Sequence, residues 1–500
     1  MTLLRQILWN AAKHPFRTAV VDDRGARSYG ACLIASMMFS RLIERETGKD
    51  TIGILLPTSG GTPLAMLGAW LAYRVPVPLN FLLGKDELQY VILHSGMDTI
   101  LTVQAMLDFI GGRDVIPPGI KVVLLEEALP KIGKLSSLRL PPKHAPDDTA
   151  VILYTSGTSG RPKGVPLSFG NLESNVTAGI ERGAFTRHEV FLGVLPQFHS
   201  FGLTAGTLFP LVLGAKVVYS ARFVPKKIVE LFRLHRPTVF MAVPSMFGAL
   251  MTVKDAAPDD FSSLKLCISG GEPLPQATRA EMKSRLGVQL MEGYGLTETS
   301  PVVSWSSPTM FKDGCVGKVL SNVKVVVVSD EGAPLAPGEA GEILISGPNV
   351  FAGYFLDPET TASVFTELTV DGERRRYFRT GDIGTLDPDG FLAITGRKKE
   401  MLIVGGLNVF PRGIEEVLNN HPSVKDSGVV GRIDGVRGEV PVAYVELKEG
   451  CPFDEASIRA YCREHLAGYK VPREIIALPE LPRTPTGKVL RRKLKELPPK

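Results

Sequence analysis

The chain has 500 residues, 44% hydrophobic and 22% charged, enough for several structural units around a large core and unlike disordered, collagen-like or membrane-embedded compositions. Its net charge is +5, yet residues 483–500 alone carry seven basic side chains against Glu496, so no basic excess is left elsewhere and no nucleic-acid partner is expected. Five scattered cysteines without a C-x-x-C pair argue against a disulfide framework or zinc site and for a reducing, cytoplasmic setting.

The opening TLLRQILWNAAKHP puts Leu3, Leu4, Ile7, Leu8 and Ala11 on one helical face and stops at Pro15. That pattern predicts an amphipathic core helix rather than a signal peptide. Next come a strand in TIGILLP (51–57), a helix over 61–74 and a strand in VPVPLN (75–80). Apolar AVIL (150–153) then runs into YTSGTSGRPKG (154–164), a loop whose glycines and hydroxyls suit a polyphosphate. Lys163 lies between Pro162 and Gly164, so the kinase-type G-x-x-x-x-G-K-[ST] loop is absent; a plain surface turn is the alternative.

Residues 190–215 contain no Asp, Glu, Lys or Arg, but Gly193, Pro196, Gln197, His199, Pro210 and Gly214 interrupt them. A buried strand and helix lining a dry cavity fit better than a membrane span. No transmembrane segment is expected, and transient contact with a membrane surface stays open. AKVVYS (215–220), a helix over 225–235, TVFMAVP (238–244), a helix over 245–253 and LKLCISGG (264–271) continue the alternation of parallel sheets and covering helices. Residues 316–354 read as short antiparallel strands. Beyond GRKKE (396–400), helices over 411–420 and 454–466 alternate with strands in a compact α+β unit. The expected domains are 1–397 and 398–500.

Five further stretches follow the glycine-rich loop at 154–164: SGGEPLP (269–275), EGYGLTETSP (292–301), YFRTGDIG (377–384), GRKKEMLIVGGLNVFPRGIEEVL (396–418) and PRTPTGKVLRR (482–492). In this order they resemble the acyl-adenylate-forming superfamily over about residues 10–494. VPVPLN, FHSFG and GGLNVFPRGIEE are most similar to its fatty acyl-CoA ligases, including the acyl-carrier-protein synthetase branch. The resemblance implies an α/β fold: a large N-terminal domain of parallel sheets covered by helices, a small β-barrel-like subdomain, and a small α+β C-terminal domain on a hinge. It implies ATP-dependent activation of an apolar, fatty carboxylic acid to acyl-AMP with release of pyrophosphate. The acyl group then passes to coenzyme A or, alternatively, to the phosphopantetheine of a holo acyl carrier protein. A distant alternative is a binding protein for acyl-adenylates without turnover.

Residue by residue, the resemblance gives Thr155, Ser156, Gly157, Thr158, Ser159, Gly160 and Lys163 to the pyrophosphate grip. Glu298 beside Thr297 would bind Mg2+, which favours oxygen ligands and needs only one or two carboxylates beside phosphate; a helix N-cap at Thr297 is the structural alternative. Gly271, Glu272 and Pro273 would line the adenine, with Tyr294 and Gly295 at its face. Asp382 would accept the ribose hydroxyls and Arg397 donate to them, although a tyrosine between two glycines (Tyr294) and an aspartate after TG (Asp382) also suit plain turns. Lys488 matches the adenylation lysine; otherwise it is one more cation in a basic tail. Gly405 and Gly406 would admit pantetheine, and Lys399 matches the hinge. His199 would gate or line an acid tunnel near Phe198, Phe201, Leu203, Thr204 and Gly206, or is a satisfied core histidine. No Asp or Glu occurs over 190–220 to pair a substrate ammonium, so an apolar acid is expected.

Overall fold

The computed structural model describes residues 3–132, 142–155, 161–404, 407–434, 438–483 and 489–497. Short apolar runs such as Val190–Gly193, Val239–Ala242 and Leu266–Ser269 are buried almost throughout, as a parallel sheet covered on both faces requires. They join a nine-stranded sheet in the order Lys318–Val319, Val302–Trp305, Met291–Gly295, Leu266–Ser269, Val239–Ala242, Val190–Gly193, Lys216–Tyr219, Thr18–Asp22, Gly25–Ser28. The six strands from Met291–Gly295 to Thr18–Asp22 run parallel, and antiparallel strands flank them. Gly193, Ala242, Ser269 and Gly295 therefore end neighbouring strands on one edge, where open parallel sheets bind ligands.

A second, four-stranded parallel sheet orders Val75–Pro78, Thr51–Leu55, Thr99–Thr102 and Lys121–Leu124. Its helix Gly61–Leu71 is apolar all round and buried from Thr62 to Trp70, so it lies inside the domain. A Cβ on Gly68 would sit 2.4 Å from Phe39 Cβ, which lets this helix press on Tyr29–Glu46. Trp70 Nε1 donates to the Ala150 carbonyl at 2.6 Å, tying the helix to the strand that leads into the glycine-rich stretch. The helix stops at Leu71 rather than 74 because Tyr73 turns left-handed (φ 54°) and the next strand begins at Val75.

Both ends of the polar stretch at 154–164, which its composition reads as loop, belong to strands. Strand Thr149–Thr155 and strand Lys163–Ser168 form an antiparallel hairpin with Thr155 opposite Lys163. Likewise, 190–215 contains the expected strand and helix, but Thr204–Leu208 is a π-helical turn, a widening often found at functional sites. The expected helix at 245–253 is Pro244–Leu250, with proline in its first turn.

Residues 324–397 form a five-stranded antiparallel sheet organised by the 14-residue strand Glu373–Leu386, which pairs with three neighbours. Its hairpin with Phe365–Val370 was not legible, because ERRRY is charged and alternates poorly. Residues 402–497 make a mixed sheet around Gly438–Leu447, covered by Pro411–Asn419 and Glu455–His465. That unit has its own core, including Val409, Ile414, Leu418, Val429, Val445 and Ile458. Among the described residues no helix is long and apolar enough to cross a membrane.

Phe209, fully buried directly after the π-turn, packs against Phe185, Trp305 and the backbone at Gly179. Phe209→Ala leaves a cavity costing about 3–5 kcal/mol. Thermal unfolding of the variant is expected several degrees below that of the parent protein; an unchanged midpoint would contradict this packing.

Candidate active site

The segment LTETSP is set by its backbone rather than by a threonine cap. In the 3-10 turn Thr297–Thr299, the Leu296 N–H donates to Thr299 Oγ1 at 3.0 Å. Thr297 is therefore not the cap; its hydroxyl meets Ser200 Oγ at 3.2 Å. Two buried asparagines hold the turn: Asn175 Nδ2 donates to the Val302 carbonyl at 2.7 Å and Asn349 Nδ2 to the Thr299 carbonyl at 2.9 Å. The Ser200 contact brings His199 and Thr297 into one neighbourhood.

Glu298 points to a tyrosine. Tyr354 donates its hydroxyl to Glu298 Oε1 at 2.9 Å, and the Phe351 N–H donates to the Glu298 carbonyl at 2.9 Å. Burial raises the Glu298 carboxyl pKa, and the Tyr354 hydrogen bond opposes that rise. The ring of Tyr354 also meets Lys163, whose Nζ lies 5.1 Å from its centroid, within cation–π range. The hairpin reaches this place because the Phe355 N–H donates to the Gly164 carbonyl at 2.8 Å. A Cβ on Gly164 would sit 3.0 Å from Phe355 Cβ, so glycine after Lys163 serves this approach.

Asp382 and Arg397 face each other across adjacent antiparallel strands. Arg397 Nε donates to Asp382 Oδ1 at 2.9 Å and Tyr294 donates its hydroxyl to Oδ2 at 2.6 Å. Each carboxylate oxygen accepts one protein bond and keeps a lone-pair site for another donor. Burial and the adjacent Asp382 push the Tyr294 phenol pKa well up, so it stays a donor. Asp382 also holds the Arg397 pKa up. Thr380 shapes the turn, accepting from the Asp382 N–H at 3.0 Å and donating to the Ile343 carbonyl at 2.7 Å.

At the sheet edge Gly271 is exposed and left-handed (φ 82°), with Glu272 half-buried and Pro273 exposed. Gly295 has a different reason to be glycine: a Cβ there would lie 2.0 Å from the Pro301 carbonyl oxygen. Lys399 is exposed in the turn Lys398–Glu400. Ser156, Gly157, Thr158, Ser159, Gly160, Gly405, Gly406 and Lys488 lie outside the described residues.

His199 occupies the N-cap position of the helix Ser200–Leu203 without a side-chain capping bond, its ring 4.7 Å from that of Phe198. Its Nε2 is buried with no hydrogen-bond partner among the described residues, and so is Ser269 Oγ. The reading of His199 as a satisfied core histidine therefore fails at that nitrogen. Burial pushes its pKa down to about 4, so the imidazole is neutral near pH 7. Close by in sequence, a small cavity is lined by Phe191, Leu195, Ala205, Gly206, Val239 and Met241, with no charged side chain among its lining residues. Of the expected tunnel residues Gly206 alone lines it. Leu203 and Thr204 are fully buried, with Thr204 Oγ1 donating to the Ser300 carbonyl at 3.0 Å, and Phe198 packs on Phe81.

These donors and acceptors fit a magnesium nucleotide. Among the described residues no cluster of three or more potential metal ligands exists; a magnesium ion that takes most of its oxygens from phosphate and water would need only one carboxylate, and Glu298 is of the right type. Tyr354, Ser200, Asn175 and Asn349 had no signal in the sequence. They act through contacts that span from 50 to 127 positions.

Residues 7–355 match the AMP-binding enzyme family, and residues 413–488 match the AMP-binding enzyme C-terminal domain. The chain belongs to the AMP-binding enzyme family. A long-chain-fatty-acid–CoA ligase of Bacillus subtilis strain 168 is 32% identical over 97% of this chain and 93% of its own length. A 2-succinylbenzoate–CoA ligase of Geobacillus kaustophilus is 39% identical over 97% and 96%. The solved o-succinylbenzoate CoA synthetase of Bacillus subtilis, in complex with its acyl-adenylate intermediate, superposes with a TM-score of 0.87 at 29% identity, covering 99% of this chain and 98% of that one. This AMP-binding enzyme is an acid–CoA ligase that uses ATP, Mg2+ and coenzyme A.

Two outcomes follow from the site. Tyr354→Phe keeps the ring under Lys163 but removes the bond that favours ionised Glu298. The acidic limb of the pH–rate profile should move to higher pH and the apparent affinity for Mg2+ should fall; an unmoved limb would refute the coupling. His199 ionises at 6.5 when unperturbed and at about 4 when folded. Its neutral form thus adds stability that is present above pH 6.5 and lost as pH falls through that window. His199→Gln should lose less stability than the parent between those pH values, as measured by urea unfolding.

Proposed function

We propose that the acid is a fatty, uncharged carboxylic acid. The observation that carries this reading is the small cavity bounded by the π-turn and the strands Val190–Gly193 and Val239–Ala242, with no charged residue lining it. A second charge on the substrate would have no partner there, and burying it unpaired is costly. The alternative of an aromatic or dicarboxylic acid draws on the 39% identity to the 2-succinylbenzoate–CoA ligase.

In the first half-reaction the substrate carboxylate attacks the α-phosphorus of ATP and pyrophosphate leaves. Lys163, Thr155 and the segment 156–160 hold the leaving pyrophosphate, and Asp382 with Arg397 seats the ribose. Gly271, Glu272 and Pro273 flank the base, with Tyr294 and Gly295 at its face. Glu298 would hold Mg2+, which supplies positive charge against the phosphates. Thr297 lies where the α-phosphate is handled, and Lys488 donates to the oxygens that gain charge. In the second half-reaction the thiol of coenzyme A, or of a carrier protein, attacks the acyl carbonyl past Gly405 and Gly406, and AMP leaves.

One polypeptide would need two arrangements of 1–397 against 398–500 for these steps, with Lys399 as the pivot. The ion pairs on either side of it support this. Lys398 reaches back to Asp330 at 2.9 Å and Glu342 at 3.6 Å. Glu400 reaches forward to Arg491 at 2.8 Å, and Arg491 also grips Glu415.

Release of pyrophosphate and AMP should be measured across straight-chain acids, 2-succinylbenzoate and an aromatic acid, with coenzyme A and with holo carrier protein. A preference for medium or long straight chains is expected; a preference for 2-succinylbenzoate or the aromatic acid would overturn the fatty-acid reading. Lys488→Ala should slow adenylation by about 10- to 150-fold while thiolysis of supplied acyl-AMP survives. Lys399→Pro, which removes an N–H and restricts φ, should spare adenylation and impair thioester formation. Equal loss of both half-reactions would count against the pivot.

A further inference from the structure

The first helix, Leu3–Lys13, buries Leu3, Leu4, Ile7 and Ala11. Successive residues turn by about 100°, so Arg5, Trp9, Ala12 and Lys13 share the opposite arc, and all four are exposed. Trp9 is 57% exposed, and Phe16, in the turn beyond the helix, is 95% exposed. Trp9 and Phe16 are thus two large, strongly exposed aromatics only seven positions apart in the chain, on the helix and in the turn that follows it, and such a concentration is unusual for an ordinary surface.

The surroundings are cationic. No Asp or Glu occurs between residues 3 and 21. Arg17 donates to the Arg187 carbonyl, and the Arg187 guanidinium lies 3.3 Å from His14 Nε2, so the turn around 187 stands beside the end of this helix. The His14 pKa is lowered by partial desolvation and then by Arg187, Lys13 and Arg17, three cations converging on one place. The acid nearest Arg187 in sequence on the C-terminal side, Glu189, is buried and engaged by Thr238 and Lys265. Among the described residues none of the ion pairs involves Arg5, Lys13, Arg17 or Arg187.

We propose that this face docks on an anionic lipid surface, with Trp9 and Phe16 entering the headgroup region and Arg5, Lys13, Arg17 and Arg187 facing lipid phosphates. Aromatic anchors ringed by Lys and Arg on an outward helix arc are what an interface of that chemistry selects. A protein hot spot would instead be expected to seat its aromatics in a complementary pocket with paired polar groups around it. The proposal does not rest on the identity of the acid.

The chain has three tryptophans, and Trp70 and Trp305 are only 1% and 2% exposed. Trp9 therefore reports its own surroundings in the intact enzyme. With vesicles of phosphatidylcholine and phosphatidylglycerol, tryptophan emission should shift to the blue and become shielded from iodide. Pure phosphatidylcholine should give a smaller effect, and added salt should weaken the response. The double variant Trp9→Ala, Phe16→Ala should bind the anionic vesicles at least about tenfold more weakly in sedimentation, and Arg5→Glu with Lys13→Glu should do the same. Turnover of a short, water-soluble acid should be unchanged in both. Emission unaffected by anionic vesicles, sedimentation unaffected in the aromatic variant, or a blue shift that follows protein concentration without lipid, as a second copy would produce, would each overturn the proposal.

Discussion

The carboxylate of Asp382, held between Tyr294 and Arg397, is the joint on which the architecture turns. Tyr294 is the penultimate residue of a strand of the nine-stranded sheet, Asp382 sits in the long strand of the antiparallel sheet, and Arg397 ends the last strand before Lys398–Glu400. Two sheets with separate hydrogen-bond ladders thus meet at one anion. A buried carboxylate is tolerated only when its charge is compensated, so the tyrosine and arginine are required by burial before any ligand is considered. The compensation leaves acceptor capacity directed to the site, which makes the same group both structural and available.

The second organising contact is Tyr354, which touches Lys163 with its ring and Glu298 with its hydroxyl. The lysine belongs to the hairpin that closes the glycine-rich stretch, and the glutamate to a turn fixed by buried asparagines. On the proposed reading, in which Lys163 addresses phosphate and Glu298 the metal, a direct pair between the two would take both out of their roles. An aromatic ring between them keeps them apart while serving each.

Much of the fold was legible because the parallel strands are unbroken apolar runs and the helices carry clear periodicity; Pro225–His235 and Pro411–Asn419 lie where the pattern puts them. The family was legible from motif order. Less visible was anything set by tertiary approach. The hairpin around 155 and 163 hides behind a loop-like composition, and strand 373–386 behind its charges. Gly295 reads like a ligand-facing glycine, but its freedom from a Cβ is demanded by the Pro301 carbonyl. Thr297 reads like a cap, yet its hydroxyl is drawn to Ser200 by a helix nearly a hundred residues earlier. Spacing within a motif carries no information about such partners.

On the proposed reading, the ion pairs on either side of Lys399 have a mechanical meaning. With Lys398 moored to one body and Glu400 to the other, the angular travel falls on the backbone torsions of essentially one amino acid. Sterics divide that torsional space into a few separate basins, so such a joint clicks between stations instead of sliding. Two half-reactions in one pocket then need no elaborate timing device: discreteness is supplied by the Ramachandran map of a single residue.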